Sequence, residues 1–91
     1  MELVFPNPSR SYDDSGRGVR FWAYDQTMEV VFLIQVGALL KIDSQSKTDE
    51  AGFLDTFDVN RDRIHRLARK VYSRRRTGAY VYSFVLTASD L

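Results

Sequence analysis

The stretch from Asp49 to Arg74 constrains this chain most, because its apolar residues recur at helical spacing while cations fill the opposite side. On a wheel of about 100° per residue centred on Ile64, the residues Phe53, Phe57, Asn60, Leu67, Ala68 and Val71 fall within roughly 60°. Leu54 and Tyr72 flank that stripe. The period predicts one amphipathic helix over 49–74, capped by Thr48 or Ser46, with Asp49 and Glu50 at the positive end of its dipole. Gly78 ends the segment. As a single rod it would be about 39 Å long, against a radius of gyration of about 12 Å for a domain of this length. The stripe keeps its phase through Asp58-Val59-Asn60, which predicts a helix whose basic end projects past its support rather than one that breaks.

The segments around it carry a different period. Val19, Phe21 and Ala23 alternate with Arg20, Trp22 and Tyr24, the pattern of a half-buried strand. Glu29 to Gln35 is apolar on both faces and reads as a central strand. Asp25 to Met28 is short enough to join the two as an antiparallel hairpin. Residues 2–5 read as a short edge strand stopped by Pro6 and Pro8, and residues 7–18 as a polar loop. Val36 to Ile42 could continue as strand, but Ala38-Leu39-Leu40 favours a helical turn or short helix. Tyr80 to Leu86 alternates again and predicts a last strand. The economical arrangement is a single α+β domain: a four-stranded, mainly antiparallel sheet packed on one long amphipathic helix, with a short helix before it.

A likeness to a known family rests on residues spread along this order. Ser11-Tyr12-Asp13, Arg20-Phe21-Trp22 with Tyr24-Asp25, Glu29-Val30 with Phe32, Ala38-Leu39, Phe57-Asp58 with Arg61 and Ile64, and Leu86-Thr87-Ala88 with Asp90 follow in sequence. Together they resemble the bacterial domain-of-unknown-function 1488 family across nearly the whole chain. Ala23 departs from it where glycine is more usual, and Leu91 where an aromatic is. The resemblance implies a small cytoplasmic α+β domain and carries over no activity and no functional residue.

Charge is what singles out a surface. Eight of the thirteen basic residues lie between Arg61 and Arg76, where Asp62 is the one acid, whereas residues 1–60 hold five bases and ten acids. The formal net charge of +1 therefore conceals a polarised molecule. Arg63, Arg66, Arg69, Lys70 and Arg74 span about 140° to 280° on the same wheel, opposite the apolar stripe. A solvated helix face is the bland explanation, but the helix dipole reaches only the last turn. Arg66, Lys70 and Arg74 stand one turn apart, and such like-charge neighbours cost roughly 0.2–0.5 kcal/mol each. Asp62 to Arg66 is the one compensating pair the spacing predicts. Arg61 sits at the edge of the stripe, where it serves as a structural ion pair, a snorkelling stem or an anion-binding arginine.

Trp22 and Tyr24 form a candidate aromatic surface: core or cross-strand packing in the ordinary case, a platform for a base or a protein if they face solvent with Arg20. His65, the single histidine, is expected to be exposed on a helix flank.

Several chemistries are excluded or disfavoured. The chain has no cysteine, which removes disulfides and thiolate metal sites. Gly16-Arg17-Gly18 lacks what a nucleotide-binding loop needs. No nucleophile–base set or metal signature is present, so no catalysis, cofactor or metal is expected. The longest unbroken apolar run, Val30 to Ile34, is far below a membrane span. The opening Met-Glu-Leu-Val-Phe-Pro lacks a signal-peptide pattern, and the cytoplasm is the expected location. The expected function is a non-enzymatic interaction module whose basic face meets an anionic protein partner or another copy, self-association running through the sheet edge or the polarised charge. Nucleic-acid binding by the same face is the alternative.

Overall fold

The hairpin built by Asp25 and Met28 sets the register of everything else. Their facing positions leave Gln26 and Thr27 as a two-residue turn, with Gln26 at a left-handed φ of 57°. Turns this short need a positive φ so that their twist matches that of the strands. In the computed structural model, which describes residues 3–6, 9–75 and 83–91, this turn joins β2 (Gly18–Asp25) to β3 (Met28–Gln35). β2 matches the expected alternation, and β3 is the central strand expected of an apolar run, lying between β2 and β4.

β1 (Arg10–Asp13) pairs antiparallel with the first half of β2, from Arg10 opposite Phe21 to Asp13 opposite Gly18. This strand lies inside the segment expected to be a loop. Its residues are too polar to announce a strand, and the turn that follows forms it. Asp13 accepts hydrogen bonds from the Gly16 amide (2.9 Å) and the Ser15 hydroxyl (2.8 Å), and is ion-paired with Arg20. These donors, the Gly16 amide first, hold the Asp13 carboxyl well below the usual carboxylate range. Of the strand expected at residues 2–5, Glu2 lies outside the described residues and the rest shows one bridge, in which Val4 and Tyr24 exchange backbone hydrogen bonds of 2.9 and 2.8 Å.

After β3 the chain enters α1 (Val36–Ile42), the short helix expected there, and then α2 (Glu50–Val59) and α3 (Arg61–Arg75). The cap of α2 is Asp49, which accepts from the Gly52 amide at 2.7 Å, and neither Thr48 nor Ser46. Gly52 is required there, since a Cβ would lie 2.3 Å from the Lys47 carbonyl oxygen.

One long helix was expected, and two are found. Asn60 leaves helical geometry (φ −106°, ψ 20°), and both its backbone N–H (3.1 Å) and its side-chain amide (2.9 Å) donate to the Thr56 carbonyl. The reason is one of fit. A straight helix over 49–74 would be about 39 Å long, beyond the molecule's 37 Å longest extent. The bend at Asn60 lets α2 lie on β1 and β2 while α3 reaches β4 (Ser83–Leu86). The single rod over 49–74 is thus replaced by two shorter helices.

The strand order is β1-β2-β3-β4, with β4 parallel to β3. The sheet is therefore mixed rather than uniformly antiparallel. Three helices between β3 and β4 form a crossover, and a crossover returns the chain in its original direction. Tyr80, Tyr82 and Gly78 lie outside the described residues, as does Arg76. A 3-10 turn, Ala88–Asp90, follows β4 and is closed by Asp90, which accepts from the Thr87 amide at 2.7 Å.

All three helices cover one face of the sheet. Val19, Phe21 and Ala23 of β2, Val30, Phe32 and Ile34 of β3, and Phe84 and Leu86 of β4 are buried against Phe53, Phe57, Ile64, Ala68 and Val71. The register puts Phe21, Phe32 and Phe84 on one rung, with ring centroids 5.3 and 5.7 Å apart. Phe57 meets Phe21 at 5.1 Å and Tyr72 meets Phe84 at 5.4 Å, so α2 and α3 are both keyed into the same aromatic row.

Candidate functional site

Burying the apolar stripe of α3 turns its cations outward, but not all to the same fate. Arg61 is the most committed. Its guanidinium donates to Asp58 at 2.7 Å and lies over the Phe57 ring, 5.1 Å from the centroid. Asp58 also receives a two-pronged pair from Arg10 of β1 at 2.9 and 2.8 Å. The Arg10 hydrogen bond, more than Arg61, lowers the Asp58 carboxyl pKa and raises that of Arg10. This three-residue cluster ties β1 to the bend between α2 and α3. Arg61 therefore has a structural occupation.

Arg69 is turned sideways, its guanidinium 5.0 Å from the Phe5 ring centroid. Phe5 in turn stacks on His65 at 3.8 Å and 7°. The histidine is thus half-buried among Phe5, Phe21 and Phe57 rather than exposed as expected. Burial, and then the nearby Arg61 and Arg69 charges, push its pKa down to about 4. The cause is that the N-terminal segment brings Phe5 onto this flank, which no helical wheel reveals.

Arg63, Arg66, Lys70 and Arg74 are exposed. Among the described residues none of them forms an ion pair; the three pairs present are Arg10–Asp58, Arg20–Asp13 and Arg61–Asp58. Asp62, the expected partner of Arg66, does not make that bridge. Two concavities share these cations. One, about 330 Å³, lies between α3 and the 3-10 turn and is lined by Arg63, Arg66, Leu67, Lys70, Asp90 and Leu91. The other, about 490 Å³, lies at the bend, where Arg63 and Arg66 join residues 58–62. Val59, 83% exposed, stands on its rim. The helical period located the cations. The apolar floor of Leu67 and Leu91 was not foreseen, because it depends on where the C-terminal turn docks.

Trp22 and Tyr24 lie on the far side of the sheet from α3, half-buried beside Arg20. Tyr24 Oη is 3.5 Å from Glu29 Oε2, and Trp22 faces Val31 across the hairpin. The aromatic surface and the cationic face therefore belong to opposite sides of the molecule and do not form one site.

Asp25 and Tyr72 are a contact that pattern reading missed. Both are buried, and the tyrosine hydroxyl donates to the carboxylate at 2.5 Å, fastening α3 to the β2–β3 turn. Among the described residues no group of three or more His, Cys, Asp or Glu is placed to hold a metal, and no helix is long and apolar enough to cross a membrane.

The fold is shared with a solved protein. A crystal structure of a protein of unknown function from the DUF1488 family of Shewanella loihica PV-4 superposes with a TM-score of 0.77. It covers 96% of this chain and 97% of that one at 18% sequence identity, a likeness that establishes the fold alone. Comparison with curated protein sequences finds no match. The profile of the DUF1488 family, described as proteins of unknown function, matches residues 3–82, from the Val4 bridge through all three helices. On that match the chain belongs to the DUF1488 family.

Proposed function

We propose that the protein is a small non-enzymatic binding module that uses the outward face of α3 to hold an acidic segment of a partner protein. The observation that carries this reading is the division among its cations. Arg10, Arg20 and Arg61 are matched by carboxylates, while Arg63, Arg66, Lys70 and Arg74 share one helix face with no ion pair among the described residues. Like charges at one-turn spacing are a small cost to the helix that bears them. A partner of opposite sign converts that cost into steering and affinity.

The apolar floor supports a protein partner over nucleic acid. Leu67 and Leu91 beneath Arg63, Arg66 and Lys70 suit a segment with an apolar side chain between carboxylates. Proteins that hold single-stranded nucleic acid offer aromatic rings for the bases to stack on, and among the described residues the floor of this groove has none.

A fluorescent peptide alternating glutamate with leucine, titrated in parallel with an oligonucleotide of equal charge, tests the proposal. The peptide is expected to bind, and the Arg66→Glu/Lys70→Glu double variant to lose at least tenfold in affinity, about 1.4 kcal/mol. Binding of the oligonucleotide alone, with the steep salt dependence of phosphate contacts, would transfer the face to nucleic acid. Binding of neither would remove the proposal.

A further inference from the structure

The helices use one face of the sheet; the other carries no described helix, although the β1–β2 turn reaches Leu33, whose Cδ2 would lie 2.9 Å from a Cβ at Gly16. Antiparallel sheets with a solvated face alternate apolar-in with polar-out, and here the rule fails at the centre. The register sets Trp22 beside Val31 and Leu33 beside Val85, all four on the side away from the helices. Trp22, Val31 and Leu33 are half-buried and Val85 is 41% exposed, yet none belongs to the core or packs against it. A contiguous outward apolar patch is more informative than scattered surface leucines.

Charge frames that patch unevenly. Arg20 stands one rung from Trp22 toward the β1–β2 turn, and Glu29 one rung from Val31 toward the hairpin turn. Glu29 forms no ion pair among the described residues. Arg20 holds Asp13, but a guanidinium has five N–H donors and so has others to offer.

We propose that this face pairs with the same face of a second copy, sheet on sheet, about a two-fold axis crossing the strands at the Trp22–Val31 rung. Such an axis runs the two sets of strands antiparallel. It lays Trp22 on its symmetry mate and puts the Arg20 rung of each copy over the Tyr24–Glu29 rung of the other. A self-complementary patch is what an isologous contact requires, and a cation at one end with an anion at the other that forms no ion pair among the described residues supplies it. Four strands about 4.8 Å apart, some six residues long, offer on the order of 400 Å² per copy. That is small for a specific interface, so the pair is weak and reversible. The contact lies opposite α3, and a dimer would turn two cationic faces outward.

Sedimentation velocity on the full chain, from low micromolar to millimolar concentration, reads the association directly. Trp22, the single tryptophan, gives a second readout, since its emission shifts to shorter wavelength as it leaves water. The mass is expected to rise toward that of a dimer and the emission to move over the same range. Val85→Lys and Glu29→Arg should each weaken association at least tenfold, with circular dichroism and dilute unfolding midpoint unchanged. A strict monomer at every concentration would overturn the proposal. So would a dimer indifferent to both variants, or one abolished by Arg66→Glu, which would put the contact on α3.

Discussion

Phe5 lies flat on His65, and that single stack changes the ionisation of a residue read as an ordinary surface histidine. A ring half-withdrawn from water, between Arg61 and Arg69, resists a proton. The unfolded chain takes up the proton near pH 6.5 and the native chain only near 4. Stability from this residue is therefore fully present above pH 6.5 and is lost as the pH falls toward 4. Because the ring keeps part of its hydration, the loss should be about 1 kcal/mol. Urea midpoints at neutral pH and near pH 4.5, compared between wild type and His65→Phe, measure it. The variant should lose less stability over that interval, and equal losses would show that His65 does not titrate in this way. Arg61 and Arg69 are accounted for at the same scale, each set over a phenylalanine ring, at 5.1 and 5.0 Å. They leave the cationic face to their neighbours.

Among the elements, α3 is held at both ends by polar contacts that no periodicity announces. Asp58 links its start to β1 through Arg10 and Arg61, and Asp25 links its later turns to the β2–β3 hairpin through Tyr72. Tyr72→Phe keeps the ring against Phe84 but removes the hydroxyl donor. It should cost about 0.5–1.5 kcal/mol, the net worth of one ordinary hydrogen bond. Chemical denaturation measures the change, and a shift below about 0.5 kcal/mol would show that Asp25 is satisfied without it. The elements that could be read from sequence are those where local pattern and final packing agree. β2 stands where alternation puts it, β3 where the apolar run does, and α1 where Ala38-Leu39-Leu40 favoured a helical turn over a continued strand. Asn60 sits within the apolar stripe without disturbing its phase, so the bend there was not legible from the helical period. Three features depended on distant partners instead: β1 on its Asp13 turn and on β2, the parallel direction of β4 on the crossover, and the burial of His65 on Phe5. Local sequence carries no record of those.

As a whole, the molecule closes its own core and leaves two surfaces that its interior does not need. One is the cationic face of α3; the other is the apolar face of the sheet on the opposite side. The cationic face was legible from charge spacing and amphipathicity together. Its apolar floor was not, because Leu67 and Leu91 meet only when the 3-10 turn reaches α3. The account depends on Arg63, Arg66, Lys70 and Arg74 repelling one another more than any carboxylate of the chain attracts them. Salt separates the two conditions, since screening relieves repulsion between exposed charges and weakens attraction. The decisive measurement is the unfolding temperature from low to high sodium chloride, for wild type and for Arg66→Glu/Lys70→Glu. The account predicts a wild-type midpoint that rises with salt and a variant midpoint that starts higher and rises less. A wild-type midpoint that falls with salt, together with a destabilised variant, would mean that the chain already neutralises this face by itself.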